Sequence, residues 1–343
     1  MPLPSDAALP AGSLVLVTGA NGLVATHVVN EALSYGYRVR GTVRDPHKCA
    51  WLQEFYDKKY GPGKFELIQV KRLDEEGSLG EAVKGCAGVI HVASIVSFGP
   101  DPNATIPESI AFTLSALKSA ASSPAVKRFV LTSSSSAATQ GLFNTPYDLT
   151  PQSWNTAAVE KAWAPPPYEP SGGVAVYSAS KVQAEQAMWK FMDEQNPDFV
   201  ANSVLPDYVL GLPMNLEVQG YTSSVSFLAG LWNGDTSFKV LYPQFSVDAG
   251  DAGALHVAAL ANPTAKGERV FGYADNKTWT DWIGRLRGMY PGHQFPDPPE
   301  NEGKDMANVT ARPRAEELLK WLGRPGFRPL EESLKEVCDT MAL

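Results

Sequence analysis

The sequence is poor in everything that would mark a secreted, metal-bound or membrane-embedded chain. Its 343 residues hold three cysteines, Cys49, Cys86 and Cys338, odd in number and without CxxC spacing. Neither a disulfide framework nor a zinc site is indicated, and no metal is expected. The first twelve residues have no basic n-region and no apolar h-region, which predicts a cytoplasmic protein rather than a secreted one. The sequons at Asn103, Asn276 and Asn308 are then chance matches. No stretch approaches the ~20 apolar residues of a membrane span. Positive charge is in deficit, with 29 Lys+Arg against 37 Asp+Glu and a net charge of -8. That balance argues against nucleic acid or an anionic membrane as the main partner. H-E-x-x-H, G-x-S-x-G and Walker patterns are all missing, so metalloprotease, hydrolase and kinase chemistry have no support.

What is present describes a globular protein: 44% hydrophobic and 19% charged residues, enough to bury a core. The most informative segment is Thr18-Gly19-Ala20-Asn21-Gly22-Leu23. It follows the apolar run Ser13–Val17, read as a buried strand, and precedes apolar positions at Val24, Val28, Val29, Ala32 and Leu33 at helical spacing. Strand, glycine turn and helix together form a candidate dinucleotide site. Gly19 permits the tight turn, and Gly22 lets backbone N–H groups approach a pyrophosphate at the helix N-terminus. Ala25 takes the third small position, where close helix–strand packing is needed.

Strand-like and helix-like segments alternate from residue 13 to about 135, the signature of βαβ units and a parallel sheet. Strands are predicted at 13–17, 37–44, 65–70, 88–94, 128–133, 201–205 and 269–272, with helices at about 178–195 and near 314–322. The fold class is therefore α/β, a Rossmann-type doubly wound parallel sheet with a small C-terminal substrate lobe. The expected division is an extension over 1–12, a mainly dinucleotide-binding core over 13–205 and a substrate lobe over 206–343. Within these, 141–176 reads as a lid-like insertion, and elements at about 246–273 return to the core. Long irregular segments rich in Pro, Trp and Tyr are more often lids or binding loops than idle linkers.

Tyr177 and Lys181 stand at i and i+4 on one helix face. A neighbouring ammonium should lower a phenol from its usual ~10 by ~1–3 units, into the range of a general acid. Lys181 can also donate to the ribose hydroxyls of a nucleotide.

Thr18-Gly19-Ala20-Asn21-Gly22, Thr132-Ser133-Ser134, Tyr177-x-x-x-Lys181 and Leu205-Pro206-x-x-Val209, with the closing Leu322–Arg328 segment, resemble the extended short-chain dehydrogenases/reductases. Within that family the fungal NADPH-dependent aldehyde reductases are nearest and the plant dihydroflavonol reductases further off. The resemblance implies a catalytic serine on the substrate carbonyl, Tyr177 as proton donor and Lys181 as cofactor anchor. It places the serine at Ser134, with Ser133 the second choice in a run of four serines. Neighbouring side chains at a strand end face opposite ways, so only one should serve. It also implies that Asn21, Leu23, Ala93 and Ser94 lie along the cofactor, and that Pro206 and Val209 border the nicotinamide.

The second strand bears on cofactor choice, since NAD enzymes place an acidic residue there and NADP enzymes an arginine. Here Arg44 aligns with the family's phosphate-binding arginine and Lys48 with its helper, while Asp45 before Pro46 suits a turn or cap. NADPH is the expected cofactor. The family's adenine-contacting aspartate is replaced by Arg72, whose guanidinium could stack on the adenine while Leu73 packs on the ring. His91 and His256 read as core or capping histidines, Asp74-Glu75-Glu76 as a solvated turn, and Asp248 and Asp251 as caps.

The expected reaction is NADPH-dependent reduction of aldehydes or ketones, activated ketones such as keto esters included. Val174, Tyr208, Phe227, Tyr242 and Phe245 are nominated as the apolar wall of the substrate pocket. An epimerase or dehydratase of the same fold is the rival, though nucleotide sugars call for basic groups that these segments lack. A non-catalytic NADP sensor is the other, though such proteins commonly lose the tyrosine or lysine. A monomer or homodimer is expected.

Overall fold

The computed structural model describes residues 2–241 and 244–342. The first half runs β1 (Leu14–Val17), α1 (Leu23–Ser34), β2 (Arg38–Val43), α2 (Ala50–Tyr60), β3 (Phe65–Gln69), β4 (Gly88–His91), α3 (Pro102–Ala121) and β5 (Arg128–Thr132). Then follow β6 (Pro146–Leu149), α4 (Thr156–Ala162), α5 (Gly173–Gln195), β7 (Val200–Pro206) and β8 (Tyr208–Leu210). Next come α6 (Leu216–Gln219), α7 (Val225–Trp232), β9 (Gln244–Asp248), α8 (Ala249–Ala261) and β10 (Arg269–Gly272). The chain closes with β11 (Asp275–Lys277), α9 (Trp279–Met289), β12 (Met306–Val309), α10 (Arg312–Trp321) and α11 (Leu330–Asp339).

Seven strands form one parallel sheet in the order β10-β7-β5-β4-β1-β2-β3. Helices cover both faces: α1 and α8 pack together on one, α3 and α5 on the other. A sheet buried on both faces needs continuous apolar strands rather than alternating ones. Val15, Leu16 and Val17 meet that need, as do Val89 and Ile90 and then Phe129, Val130 and Leu131, all buried. This is the doubly wound α/β fold that the alternating segments predict.

Strand β4 stops at His91, three residues short of the predicted run. The Thr18 hydroxyl accepts the Val92 and Ala93 N–H groups at 3.0 Å each, which draws the chain off the ladder toward the glycine turn. Helix α5 begins at Gly173, earlier than expected, because a 3₁₀ turn at Pro170–Gly172 leads into it. A side chain at Gly173 would meet the Phe98 carbonyl oxygen at 1.9 Å, so only glycine allows that loop to lie against the helix start.

Two small sheets extend the core. β8 pairs in parallel with β9, which pairs antiparallel with β11. β6, inside the predicted lid-like insertion, pairs in parallel with β12. The C-terminal lobe has its own apolar centre, where Trp232, Trp279, Trp282 and Phe238 meet Leu330, Leu334 and Val337 of α11. Arg324 and Arg328 fasten this end to the sheet's helices. Arg324 pairs with Glu31 at 2.6 Å and Asp251 at 2.8 Å, and Arg328 with Asp248 at 3.3 Å. Asp248 also caps α8, whereas Asp251, read as a second cap, lies within the first turn of α8 and its carboxylate accepts from Arg324 and the Arg328 N–H instead. Among the described residues no helix is long and apolar enough to cross a membrane.

Candidate active site

The glycine turn joins β1 to α1 at the C-terminal end of the sheet. Gly19 has φ +65°, in the left-handed region, and a Cβ there would come within 3.0 Å of the Ala93 Cβ. Glycine is thus required twice over, by backbone angle and by space. Gly22 precedes α1 with no side-chain cap, and no acidic residue stands in the first turn. Those uncapped N–H groups and the positive helix end suit an anion. Asn21 is exposed, and its carbonyl accepts from Gln219 of α6 at 3.3 Å. Leu23 is buried in the C-terminal lobe's core.

Arg44 and Lys48 are both exposed just past β2. Asp45 is engaged within the turn: its Oδ1 accepts the N–H groups of His47 at 3.0 Å and Lys48 at 3.3 Å. This is the turn role read from the following proline. Arg72 does not lie free to stack on a base; its guanidinium forks onto Asp74, with Nε at 2.9 Å from Oδ1. Asp74 is thereby held below the usual carboxylate range. Leu73 is buried against Val70 and Leu79.

Ser133 and Ser134 leave the end of β5 in opposite directions. The Ser133 hydroxyl donates to Glu185 Oε2 at 2.6 Å, deep in the protein. Ser134 is half-buried, accepts the Ser136 N–H at 3.2 Å and reaches the Tyr177 phenol with its hydroxyl. Lys181 lies one turn below Tyr177, buried, with Nζ 3.5 Å from the Thr132 carbonyl oxygen. Burial lowers its ammonium to about 8, while the Glu185 carboxylate pulls the other way.

Tyr177 departs from expectation. Its phenol is raised above the ordinary value by burial, with the Ser134 hydrogen bond as the opposing influence. The lysine does not depress it, because the ammonium is directed to the Thr132 carbonyl. The Phe98 ring lies 5.3 Å from the Tyr177 ring, on the loop that Ala93 and Ser94 begin.

The nominated pocket wall is divided. Val174 stands exposed (54%) beside the loop of Val96 (64%) and Phe98 (56%). Phe227 is half-buried on α7. Tyr208 is buried edge-on to Trp279 and Trp282, with ring centroids 6.0 and 5.3 Å away. Its hydroxyl donates to the Ser224 carbonyl. Phe245 is buried against Tyr273 at 5.3 Å. Tyr242 lies outside the described residues. Pro206 ends β7, and Val209 is buried against Val247 and Ala249.

Sequence reasoning missed three groups. Phe98 carries no periodic signal in an irregular loop. Glu185 could have been found as the i+8 partner of Tyr177. Asp207 follows Pro206 and accepts the Ser135 hydroxyl at 2.9 Å and the Phe245 N–H at 3.0 Å. Burial pushes its carboxyl up to about 7. His91 and His256 are core histidines. Each is buried neutral, at about 3 and about 4, with desolvation the leading cause.

Residues 15–206 match the NAD dependent epimerase/dehydratase family. The chain is 42% identical over 340 residues to aldehyde reductase 2 of Sporidiobolus salmonicolor, covering 97% of each. It is 36% identical over 340 residues to ketoreductase adrE of Penicillium rubens, covering 95% of this chain and 96% of that one. Among solved structures, Gre2 from Candida albicans in complex with NADPH superposes with a TM-score of 0.82. That likeness, at 20% identity, covers 96% of this chain and 98% of that one and is one of fold. The chain belongs to the NAD dependent epimerase/dehydratase family, within the extended short-chain dehydrogenases/reductases.

Proposed function

We propose that this protein is an NADPH-dependent reductase of aldehydes and ketones. The observation that carries the reading is the meeting of Ser134, Tyr177 and Lys181 at the same sheet end as the uncapped glycine turn. Its 42% identity to an aldehyde reductase over nearly its whole length supports it.

The turn at Gly19 and Gly22 would hold the pyrophosphate of NADPH, and Arg44 with Lys48 would take its 2′-phosphate. Pro206 and Val209 would border the nicotinamide, and Ala93 and Ser94 would lie along the cofactor. When bound, NADPH supplies the hydride. Ser134 donates a hydrogen bond to the substrate carbonyl and orients it. Tyr177 gives its phenolic proton to the oxygen as the alkoxide develops. Its raised value keeps the phenol protonated at neutral pH, the state a reduction needs. Lys181, predominantly charged at neutral pH, would hold the ribose hydroxyls and so orient the cofactor.

Phe98, Val96 and Val174 form the apolar approach to Tyr177, with Phe227 farther along the lobe. Tyr208 and Phe245, each buried among other aromatic rings, would act on substrate only indirectly, through packing. A compact hydrophobic carbonyl compound fits such an approach better than a nucleotide sugar, which calls for basic groups. A cytoplasmic enzyme, monomeric or homodimeric, goes with this reading. The test is to follow reduced-nicotinamide absorbance with the protein, NADPH and a panel of activated ketones. Ketone-dependent decay with alcohol formed is expected, and its absence across the panel would overturn the reading.

A further inference from the structure

Tyr177, Lys181 and Glu185 stand at i, i+4 and i+8 on one face of α5. The proposed chemistry uses the first two. Glu185 has a fully buried side chain, yet five donors converge on its carboxylate. Oε1 accepts from Arg269 Nε at 2.7 Å, Ser203 Oγ at 2.7 Å and Trp189 Nε1 at 3.3 Å. Oε2 accepts from Ser133 Oγ at 2.6 Å and Arg269 Nη2 at 3.2 Å. A buried charge is tolerated only when paired and hydrogen-bonded in this way. Burying it needs a reason beyond stability, since an apolar pair of similar volume commonly serves stability as well.

Two features tie this carboxylate to the reaction. Ser133 is the residue before Ser134, so the Glu185 bond fixes the strand end from which the second serine projects. Glu185 and Lys181 also line one small cavity between the sheet, α3 and α5, together with Ser133, Thr132 and Ser180. Arg269 extends the arrangement outward. Its guanidinium stacks on Trp154 at 3.9 Å and donates to the carbonyls of Pro151 at 2.8 Å and Ser153 at 2.6 Å.

We propose that Glu185 is a positioning residue for the reduction: its carboxylate anchors the serine strand end through Ser133 and supplies the negative field beside the Lys181 ammonium. The inference rests on the assignment of Tyr177 and Lys181 made above. The titratable groups around Lys181 are Tyr177 and Glu185 on its own helix and neutral His91 on β4. Arg269 on β10 lies beyond Glu185, and α3 presents Ser109 and Thr113 to the cavity. Glu185 is the anion that opposes desolvation of Lys181. Removing its charge should let the lysine lose its proton at lower pH.

The experiment is the pH dependence of kcat/KM for NADPH-driven ketone reduction in the wild type, E185Q, E185Q/R269M and E185D, with K181M as control. E185Q and the double variant should have the alkaline limb moved down by about one pH unit, while losing less than about tenfold at pH 6, where Lys181 is charged. E185D keeps the charge, so it should keep the limb and lose only in kcat. A purely structural role would lower the melting temperature and leave the limb in place. Folded E185Q or E185Q/R269M with a wild-type limb overturns the proposal. Should neither fold, E185D decides: a limb moved down, or a kcat loss matched by a lowered melting temperature, contradicts the proposal, and an unmoved limb with reduced kcat at an unchanged melting temperature supports it. K181M with wild-type activity would instead sink the lysine assignment, a separate failure.

Discussion

The Ser133 hydroxyl donates to Glu185 Oε2 at 2.6 Å, and that bond leaves Ser134, on the other side of the strand end, to meet Tyr177. The order of effects on activity follows. Ser134→Ala should lose roughly 10²–10³ in kcat, the scale of one lost donor to a developing oxyanion. Ser133→Ala leaves Glu185 one donor short. It should act mainly on stability, by about 1–3 kcal/mol, with less than tenfold loss in kcat. Kinetics and thermal melts of both variants check this. Equal, small kinetic losses would mean that the carbonyl is held by another group.

Arg44 is exposed at the end of β2 while Asp45 is occupied by the turn at His47 and Lys48. A charge-assisted bond to the 2′-phosphate is worth about 1.5–3 kcal/mol. Arg44→Ala should therefore weaken NADPH binding by roughly 10- to 100-fold, at ~1.4 kcal/mol per tenfold. NADH lacks that phosphate and should be little affected. Titration of both cofactors by nicotinamide fluorescence tests it, and equal loss for both would make Arg44 structural.

Phe98 and Phe245 should part company when truncated. Phe98 is 56% exposed and lies against Tyr177, so Phe98→Ala should change substrate ranking and product stereochemistry with little change in stability. Phe245 is 5% exposed and packs on Tyr273, so its truncation should lower stability by about 3–5 kcal/mol. Chiral product analysis across bulky ketones, run beside thermal melts, separates the two. Unchanged selectivity in folded Phe98→Ala would remove that loop from the pocket.

His256 predicts a pH dependence. Its Nδ1–H donates to the Ala252 carbonyl at 2.7 Å, so Nε2 accepts the Thr132 hydroxyl at 2.7 Å. This neutral tautomer is held by burial down to about 4. A base depressed on folding contributes stability above its unfolded value, near 6.5, and loses it as pH falls toward the folded one. The melting-temperature advantage of wild type over His256→Gln should be full at pH 7.5 and shrink by pH 4.5. An advantage that grows on acidification would reverse the assignment.

The sheet was legible because a parallel strand buried on both faces writes itself as an unbroken apolar run, as Leu14–Val17 and Phe129–Leu131 do. The glycine turn was legible because Gly19 is demanded by sterics that few other residues satisfy. Strand β4 ran short of its apolar pattern because the Thr18 hydroxyl, 74 residues away from Val92, takes its backbone donors. The pocket wall was least legible. Tyr208 and Phe245 follow the right strands, yet aromatic residues fill lobe cores as readily as pockets. Phe98 belongs to a loop whose course depends on Gly173, far along the chain. The phenol of Tyr177 could not be placed electrostatically from spacing, because i, i+4 registry brings two residues to one face without fixing where the ammonium points.

The most direct test of the account is NADPH-dependent ketone reduction by wild type and Tyr177→Phe. That substitution keeps the ring and removes the proton donor. Wild type should oxidise NADPH in step with alcohol formed. The variant should lose roughly 10²–10⁴ in kcat while keeping its melting temperature and NADPH affinity. A folded, NADPH-binding Tyr177→Phe with near wild-type turnover would contradict the account.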